Sequence, residues 1–256
     1  MALSHPERRP AVVTGASSGI GAATALLLAA QGHPVALGAR RVDKCEELAE
    51  RIRKDGGEAF AHPLDVGDSG SVEAFTEATK TALGPVEIVV SSAGHLEPDR
   101  IHEVDSVEFA AQLNVQLLGV HRLVRAFVPD MVERTRGDIV FVSSDVVRAP
   151  RTRMGAYVAA KNGVEGMARA MQMELEGTGV RASILRPGPT FTEMGYSWDP
   201  EVTGVVLNEW VSWGLARHSQ FLDPSHVADA IVHMVGMPPG SHLTLVEIQP
   251  EGPLPS

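Results

Sequence analysis

Cysteine is almost missing from this chain: of 256 residues only Cys45 carries a thiol. An internal disulfide is therefore impossible, and a thiolate metal cluster is excluded. Cys45 falls in a charged helical stretch beside Glu46, Glu47 and Arg51 and reads as a spectator. Aromatic residues make up only 5% of the chain, with two tyrosines, so the setting of each is informative. No uncharged apolar run approaches the roughly 18 residues that a membrane span requires, and none is expected. Residues 1–10 are polar and lack an apolar signal core, which argues for a soluble, cytoplasmic protein. Positive charge is in deficit, since 22 Lys and Arg against 32 Asp and Glu leave a formal net charge of −10. This argues against non-specific binding of nucleic acid, because phosphates need cationic contacts. The histidines, among them His95, His102, His218, His233 and His242, show no ligand spacing such as HExxH. Metal catalysis is not expected.

What is present is an alternation. Short β-branched runs separate longer helical patterns, the signature of repeated βαβ units and a parallel sheet. Strands are expected near 11–14, 34–38, 58–62, 87–91, 138–143, 181–185 and 242–248. Helices are expected near 19–31, 42–54, 69–82, 106–134, 153–176 and 224–236. The run Ile139-Val140-Phe141-Val142 is apolar on both faces, as a sheet covered on both sides demands. Gly32, Gly56-Gly57, Gly84, Gly137 and Gly177 stand where helices should stop. No repeat or linker interrupts the pattern, and the α/β chain reads as one domain. The irregular region is 191–222, with Gly and Pro punctuation, Trp198, Trp210, Trp213 and a short helical stretch.

Two segments carry chemistry. Thr14-Gly15-Ala16-Ser17-Ser18-Gly19-Ile20-Gly21 follows the apolar Ala11-Val12-Val13 and runs into an alanine/leucine helix. Glycines at this spacing let the backbone turn sharply and approach a pyrophosphate, while the helix aims its free N–H groups at the anion. A glycine-rich loop alone also marks ordinary turns; the strand-loop-helix context favours dinucleotide binding. Far downstream, Tyr157 and Lys161 stand four positions apart, on one face of a helix. A free phenol has a pKa of about 10, and a neighbouring ammonium is expected to lower it toward the range useful for acid–base work.

Tyr157-Val158-Ala159-Ala160-Lys161, with Ser143-Ser144 upstream and the spacing of the first loop, resembles the short-chain dehydrogenase/reductase family. Asn114 in Leu113-Asn114-Val115 matches the family's helical asparagine. Pro187-Gly188-Pro189-Thr190-Phe191-Thr192 matches its PGxxxT turn. The resemblance is close over 10–192 and loose beyond. It implies a doubly wound (Rossmann) parallel sheet in three αβα layers, a single NAD(P)-binding domain over 1–256, and a substrate lid at about 191–222. It further implies that Tyr157 is the proton donor to a carbonyl oxygen, that Lys161 also holds the nicotinamide ribose, and that Ser144 stabilises the developing charge. Asn114 would interrupt its helix and hold a water that relays protons to Lys161. Ser143 is the rival hydroxyl, turned to the opposite face by strand alternation. Cofactor contacts are expected from Gly15, Ser17, Ser18, Gly19, Ile20 and Gly21, and from Asp65, the resembling adenine partner, with Val66. Ala93, Gly94, Pro187, Gly188, Thr190 and Thr192 complete the expected set.

Departures from the family pattern refine this. The second strand ends Gly38-Ala39-Arg40-Arg41, with alanine where NAD-binding folds place an acidic side chain. Arg40, assisted by Arg41, suits a 2′-phosphate, so NADP(H) is favoured over NAD(H). Ser91-Ser92-Ala93-Gly94 stands where the family has NNAG. Asp145 follows Ser144 where an apolar residue is common; it either adds negative charge to the site or turns to solvent. The ending Val246-Glu247-Ile248-Gln249-Pro250 lacks the Gly-Gly of many acyl-carrier-protein reductases. Leu96, Val146, Val147, Phe191, Met194, Tyr196 and Trp198 are expected to line an apolar pocket.

These features favour an NADP(H)-dependent oxidoreductase interconverting a ketone and a secondary alcohol. The rivals are an NAD-dependent alcohol dehydrogenase of the same fold and a non-catalytic nucleotide-sensing protein. On the helix carrying Tyr157, an apolar stripe (Ala156, Ala160, Val164, Met167, Met171) borders a small row (Ala159, Gly163, Gly166, Ala170). One face for the sheet and one for a partner argue for self-association. The resemblance implies that this helix and the one over 106–134 pair across a two-fold axis, giving a homotetramer through a second two-fold at the last strand, otherwise a homodimer.

Overall fold

The computed structural model describes residues 8–195, 198–216, 218 and 220–253. The alternation seen in the sequence becomes seven strands: β1 (Ala11–Thr14), β2 (Val35–Ala39), β3 (Ala59–Pro63), β4 (Ile88–Ser91), β5 (Gly137–Val142), β6 (Val180–Pro187) and β7 (Leu245–Ile248). They pair in parallel in the order β3-β2-β1-β4-β5-β6-β7. The helices are α1 (Gly19–Ala30), α2 (Val42–Lys54), α3 (Ser69–Leu83), α4 (Ser106–Leu113), α5 (Gly119–Glu133), α6 (Gly155–Glu174), α7 (Pro200–Ser212) and α8 (Pro224–Val235).

Strand alternation sends neighbouring side chains to opposite layers. Ala11 and Val13 of β1 belong to a core with Leu28 of α1, Ile52 of α2 and Ile231 of α8. Val12 belongs to a second core with Phe75 of α3, Phe127 of α5 and Val164 of α6. The result is the expected doubly wound, three-layer αβα sandwich. Cys45 is fully buried in the first core, and burial pushes its thiol up to about 11. No helix among the described residues is long and apolar enough to cross a membrane.

Helix ends follow local chemistry. Asp68, Asp105, Asp199 and Asp223 each accept a first-turn N–H of α3, α4, α7 and α8, and Pro200 and Pro224 occupy first-turn positions that need no donor. Gly137 does not stop a helix: it opens β5, where Met131 packs so closely that a Cβ would lie 2.5 Å from its sulfur. The left-handed residue after α5 is Thr135 instead, at φ 53°.

The helix expected over 106–134 is broken. Residues Asn114–Leu118 form a π turn between α4 and α5, with the Gly119 N–H bonding back to the Asn114 carbonyl. Asn114 thus interrupts the ordinary ladder as expected, and π turns concentrate at functional sites. On α6, Ala156, Ala160, Val164 and Met171 are buried as the stripe requires. Gly163 is used within the chain, its Cβ position lying 2.9 Å from Leu117 of the π turn, whereas Gly166 faces open space.

Gly21, in the first turn of α1, approaches the Gly15 carbonyl so closely that any Cβ would overlap it. Gly21→Ala is expected to cost about 1–3 kcal/mol by overpacking. Urea unfolding measures this, and an unchanged midpoint would overturn the close-approach argument.

Candidate active site

The strand order reverses between β1 and β4, and the crevice beyond their carboxyl ends is where open α/β sheets bind ligands. The two strand ends are tied together there. The Thr14 hydroxyl accepts the backbone N–H groups of Ser92 and Ala93, both at 3.1 Å. This clamp secures the Ser91-Ser92-Ala93-Gly94 segment without the asparagines of the family pattern. Gly15, at φ 68°, passes so near that a Cβ would sit 2.9 Å from the Ala93 Cα. Gly19, at φ 53°, comes equally close to Thr192 of the PGxxxT turn. Ser18 precedes α1 in an extended conformation and makes no side-chain cap, so the helix's first donors keep no internal partner from it.

Around this loop the predicted cofactor residues gather. Arg41 donates to the hydroxyls of Ser17 and Ser18 and pairs with Glu193 at 2.7 Å. The Arg41 hydrogen bond holds the Glu193 carboxyl below the usual carboxylate range. Arg40 is exposed at the end of β2, and Ile20 packs against the first core. Asp65 accepts the Gly67 N–H at 2.8 Å, closing a turn after β3, while Val66 sends its side chain into the second core. At the end of β6, Gly188 donates to the Ile248 carbonyl, and its missing Cβ leaves room for Gln249. Thr190 closes the turn by donating to the Gly188 carbonyl.

The second constellation lies at the ends of β5 and α6. Tyr157 and Lys161 are both buried on one face of α6, with the Lys161 Nζ 5.4 Å from the tyrosine ring centre. Lys161 donates to the Val142 carbonyl at 2.8 Å, which fixes it at the tip of β5. Ser144 lies close enough to Tyr157 to pull its phenol down. Burial dominates their acid–base behaviour, since the charged form of each loses its hydration. It pushes the Tyr157 phenol up to about 12, against the smaller pull of Ser144, and the Lys161 ammonium down to about 8. The expected lowering of the phenol is therefore reversed in the free protein, because desolvation outweighs the pull of Ser144 and Arg151.

Strand alternation separates the two serines. Ser143 donates to Glu165, which is fully buried and held by both nitrogens of the Arg186 fork, each at 2.6 Å. Burial would raise the Glu165 carboxyl, but these hydrogen bonds outweigh it and keep it low. Ser143 is thus committed elsewhere, and Ser144 is the hydroxyl beside Tyr157. Asn114 donates to the Gly67 carbonyl and accepts from Arg122, so its side chain locks the π turn to the loop after β3.

Asp145 departs from both expectations. It neither faces solvent nor stands as a free charge: it is buried, and Arg151 grips it with two hydrogen bonds of 2.9 and 2.6 Å. No periodic pattern in the sequence marks Arg151, and only the fold reveals the pairing. The pocket wall also differs in part. Leu96, Val146 and Met154 are buried with Tyr157, and Trp198 and Trp210 pack against them. The indole nitrogens donate to the Leu96 and Thr152 carbonyls at 2.8 and 3.1 Å. Phe191 and Met194 are exposed instead, and Val147 is half-buried. Tyr196 lies outside the described residues.

The short chain dehydrogenase family profile matches residues 9–202. Among curated relatives, the chain is 32% identical to a 2,3-dihydro-2,3-dihydroxybenzoate dehydrogenase of Bacillus subtilis, over 96% of this chain and 95% of that one. It is 36% identical to a glycine betaine reductase of Emericella nidulans over 93% of this chain, but spans only 18% of that relative's length. Among solved structures, an alcohol dehydrogenase from the archaeon Thermococcus sibiricus, complexed with 5-hydroxy-NADP, superposes with a TM-score of 0.81 at 32% identity, covering 94% of this chain and 96% of that one. With the glycine loop, the Ser144–Tyr157–Lys161 cluster and these similarities in hand, the chain belongs to the short chain dehydrogenase family of oxidoreductases.

Proposed function

We propose that the protein is an NADP(H)-dependent oxidoreductase interconverting a ketone and a secondary alcohol on a mainly hydrophobic substrate. The observation that carries this reading is the placement of Ser144 beside Tyr157, with Lys161 one turn along the same buried helix face. The glycine loop fits a dinucleotide, because backbone fills the space that Cβ atoms at Gly15 and Gly21 would need, and the Ser18 end of α1 is left for an anion. When bound, NADPH supplies the hydride. Gly15, Ser17, Ser18, Gly19, Ile20 and Gly21 hold its pyrophosphate, Arg40 and Arg41 its 2′-phosphate, and Asp65 and Val66 its adenine side. Ala93, Gly94, Pro187, Gly188, Thr190 and Thr192 flank the nicotinamide half.

Tyr157, kept protonated by burial, donates its proton to the substrate oxygen in the reductive direction. Ser144 hydrogen-bonds the same oxygen and stabilises its growing charge. Lys161 holds the ribose hydroxyls and, through a water held at Asn114, returns a proton toward Tyr157. Leu96, Val146, Trp198 and Trp210 exclude water and favour an apolar substrate, with residues 191–222 as the lid. The archaeal relative's 5-hydroxy-NADP complex supports the choice of cofactor. Ala159, Gly166 and Ala170, the exposed members of the small row of α6, support a two-fold pairing of helices, in a tetramer of this cytoplasmic chain.

Arg40→Ala and Arg41→Ala should each weaken NADPH binding by on the order of tenfold or more while leaving NADH nearly unchanged, because a charge-assisted contact to phosphate is lost. Fluorescence titration reads both, and equal affinity of the unaltered protein for the two cofactors would refute the preference.

Tyr157→Phe should keep cofactor binding and lose nearly all ketone reduction, since only the proton donor goes. Wild-type turnover in that variant would end the mechanism. Because Lys161 carries its proton only below about 8, kcat/KM for NADPH, which reports the free enzyme, should fall as pH rises through that value. Lys161→Ala should remove this limb.

Static light scattering at micromolar concentration should give a multiple of the 27.2 kDa chain mass. A mass of one chain would overturn the assembly.

A further inference from the structure

Directly after Ser144, the 3-10 turn Asp145–Val147 places a carboxylate where it reaches the reacting hydroxyls. The Ser144 Oγ donates to Asp145 Oδ1 at 3.4 Å, and Ser144 also lies beside Tyr157. Left alone, this buried carboxylate would draw the Ser144 proton away from a substrate oxygen and oppose negative charge on that oxygen. It is not left alone. The Arg151 fork takes both of its oxygens, and the Trp210 ring lies against the guanidinium at 5.7 Å. Side chains of the pair are only 7% and 10% exposed, so solvent screens their attraction little.

We propose that Arg151 is a positioning residue that neutralises Asp145, so that the Ser144 hydroxyl, held to the carboxylate only by a long 3.4 Å contact, can turn to the substrate oxygen and the proton of Tyr157 can move. This rests on the dehydrogenase reading of the site. The pair also explains how an acidic residue is tolerated next to Ser144 at all. Charge reaches Tyr157 from few directions: Asp145 from the 3-10 turn, Arg151 from the following loop, and Lys161 from its own helix. From the lid come the uncharged Trp198 and Trp210. The neighbouring Glu209 is bound to Arg153. From beyond β7, the neutral Gln249 reaches Asp145, while Glu247 is bound to Arg148 and Arg186.

The test compares Arg151→Met, Asp145→Asn, the double variant and Arg151→Lys, following alcohol oxidation with NADP as kcat against pH. Oxidation needs the Tyr157 phenolate, so its pH limb reports charge at that hydroxyl. Arg151→Met should lower kcat on the order of tenfold to a hundredfold through a misplaced hydroxyl, and move the limb to higher pH. Asp145→Asn should move the limb the other way. The double variant should recover most of the turnover, and Arg151→Lys, which keeps the charge, should hold the wild-type limb. Limbs that stay fixed or move together in the two single variants, or a double variant no better than Arg151→Met, would overturn the proposal. Should Arg151→Met fail to fold, Asp145→Asn against Arg151→Lys still decides, since only the former should shift the limb. Turnover by Tyr157→Phe would instead overturn the dehydrogenase reading, whichever way these limbs move.

Discussion

The site depends on how closely β1 and β4 approach at their carboxyl ends. These strands lead chain segments away in opposite directions, and a crevice must open where they part. The Thr14 hydroxyl bridges the parting by accepting two N–H groups from the segment after β4. Gly15 then has to pass over Ala93 with no side chain, and Gly21 has to pass over Gly15. Each close approach fixes the next, and together they aim α1 at the crevice. The glycines are there because three backbone passes must share a space in which no Cβ fits.

The catalytic side sets a different constraint, that of charge under low dielectric. Tyr157 and Lys161 are packed where water is excluded, and each is pushed toward its neutral form. A neutral phenol is the form that donates a proton, and an ammonium that titrates near 8 can pass one on at modest cost. The surrounding buried charges are therefore paired. Glu165 takes Arg186 and Ser143, and Asp145 takes Arg151. Without these partners, two carboxylates would stand buried behind and beside the reacting hydroxyls.

The sequence carried different parts of this arrangement with different clarity. The alternation of apolar runs located every strand to within a few residues, because a doubly covered sheet needs continuous apolar runs. The glycine loop and the Tyr157–Lys161 spacing were legible for a similar reason, as local geometry dictates local residue types. Gly137 was misread because a glycine that ends a helix and one that admits Met131 look alike in a string of letters. Strand alternation separated Ser143 from Ser144 correctly, yet it gave no hint that Glu165 of α6 would be the partner of Ser143. Asp145 was legible as an anomaly only. Its partner Arg151 lies in an irregular loop without a period, so nothing in the spacing joins the two.

Segment 191–222 shows why long-range partners escape a linear reading. Trp198 stands just before α7 and Trp210 lies within it, and no period in the sequence marks what their indoles meet. In the folded chain each indole nitrogen finds a backbone carbonyl, Leu96 from one loop and Thr152 from another. An indole buried with a satisfied N–H is a large apolar contact with a defined orientation. The Glu209–Arg153 pair fastens the same helix to the same loop. Residues 151–153 therefore meet α7 on one side and hold Asp145 on the other, four to six positions before Tyr157. Segment 191–222, the charge pair and Tyr157 meet along one short length of backbone, so the packing of that segment bears directly on the geometry around Ser144 and Tyr157.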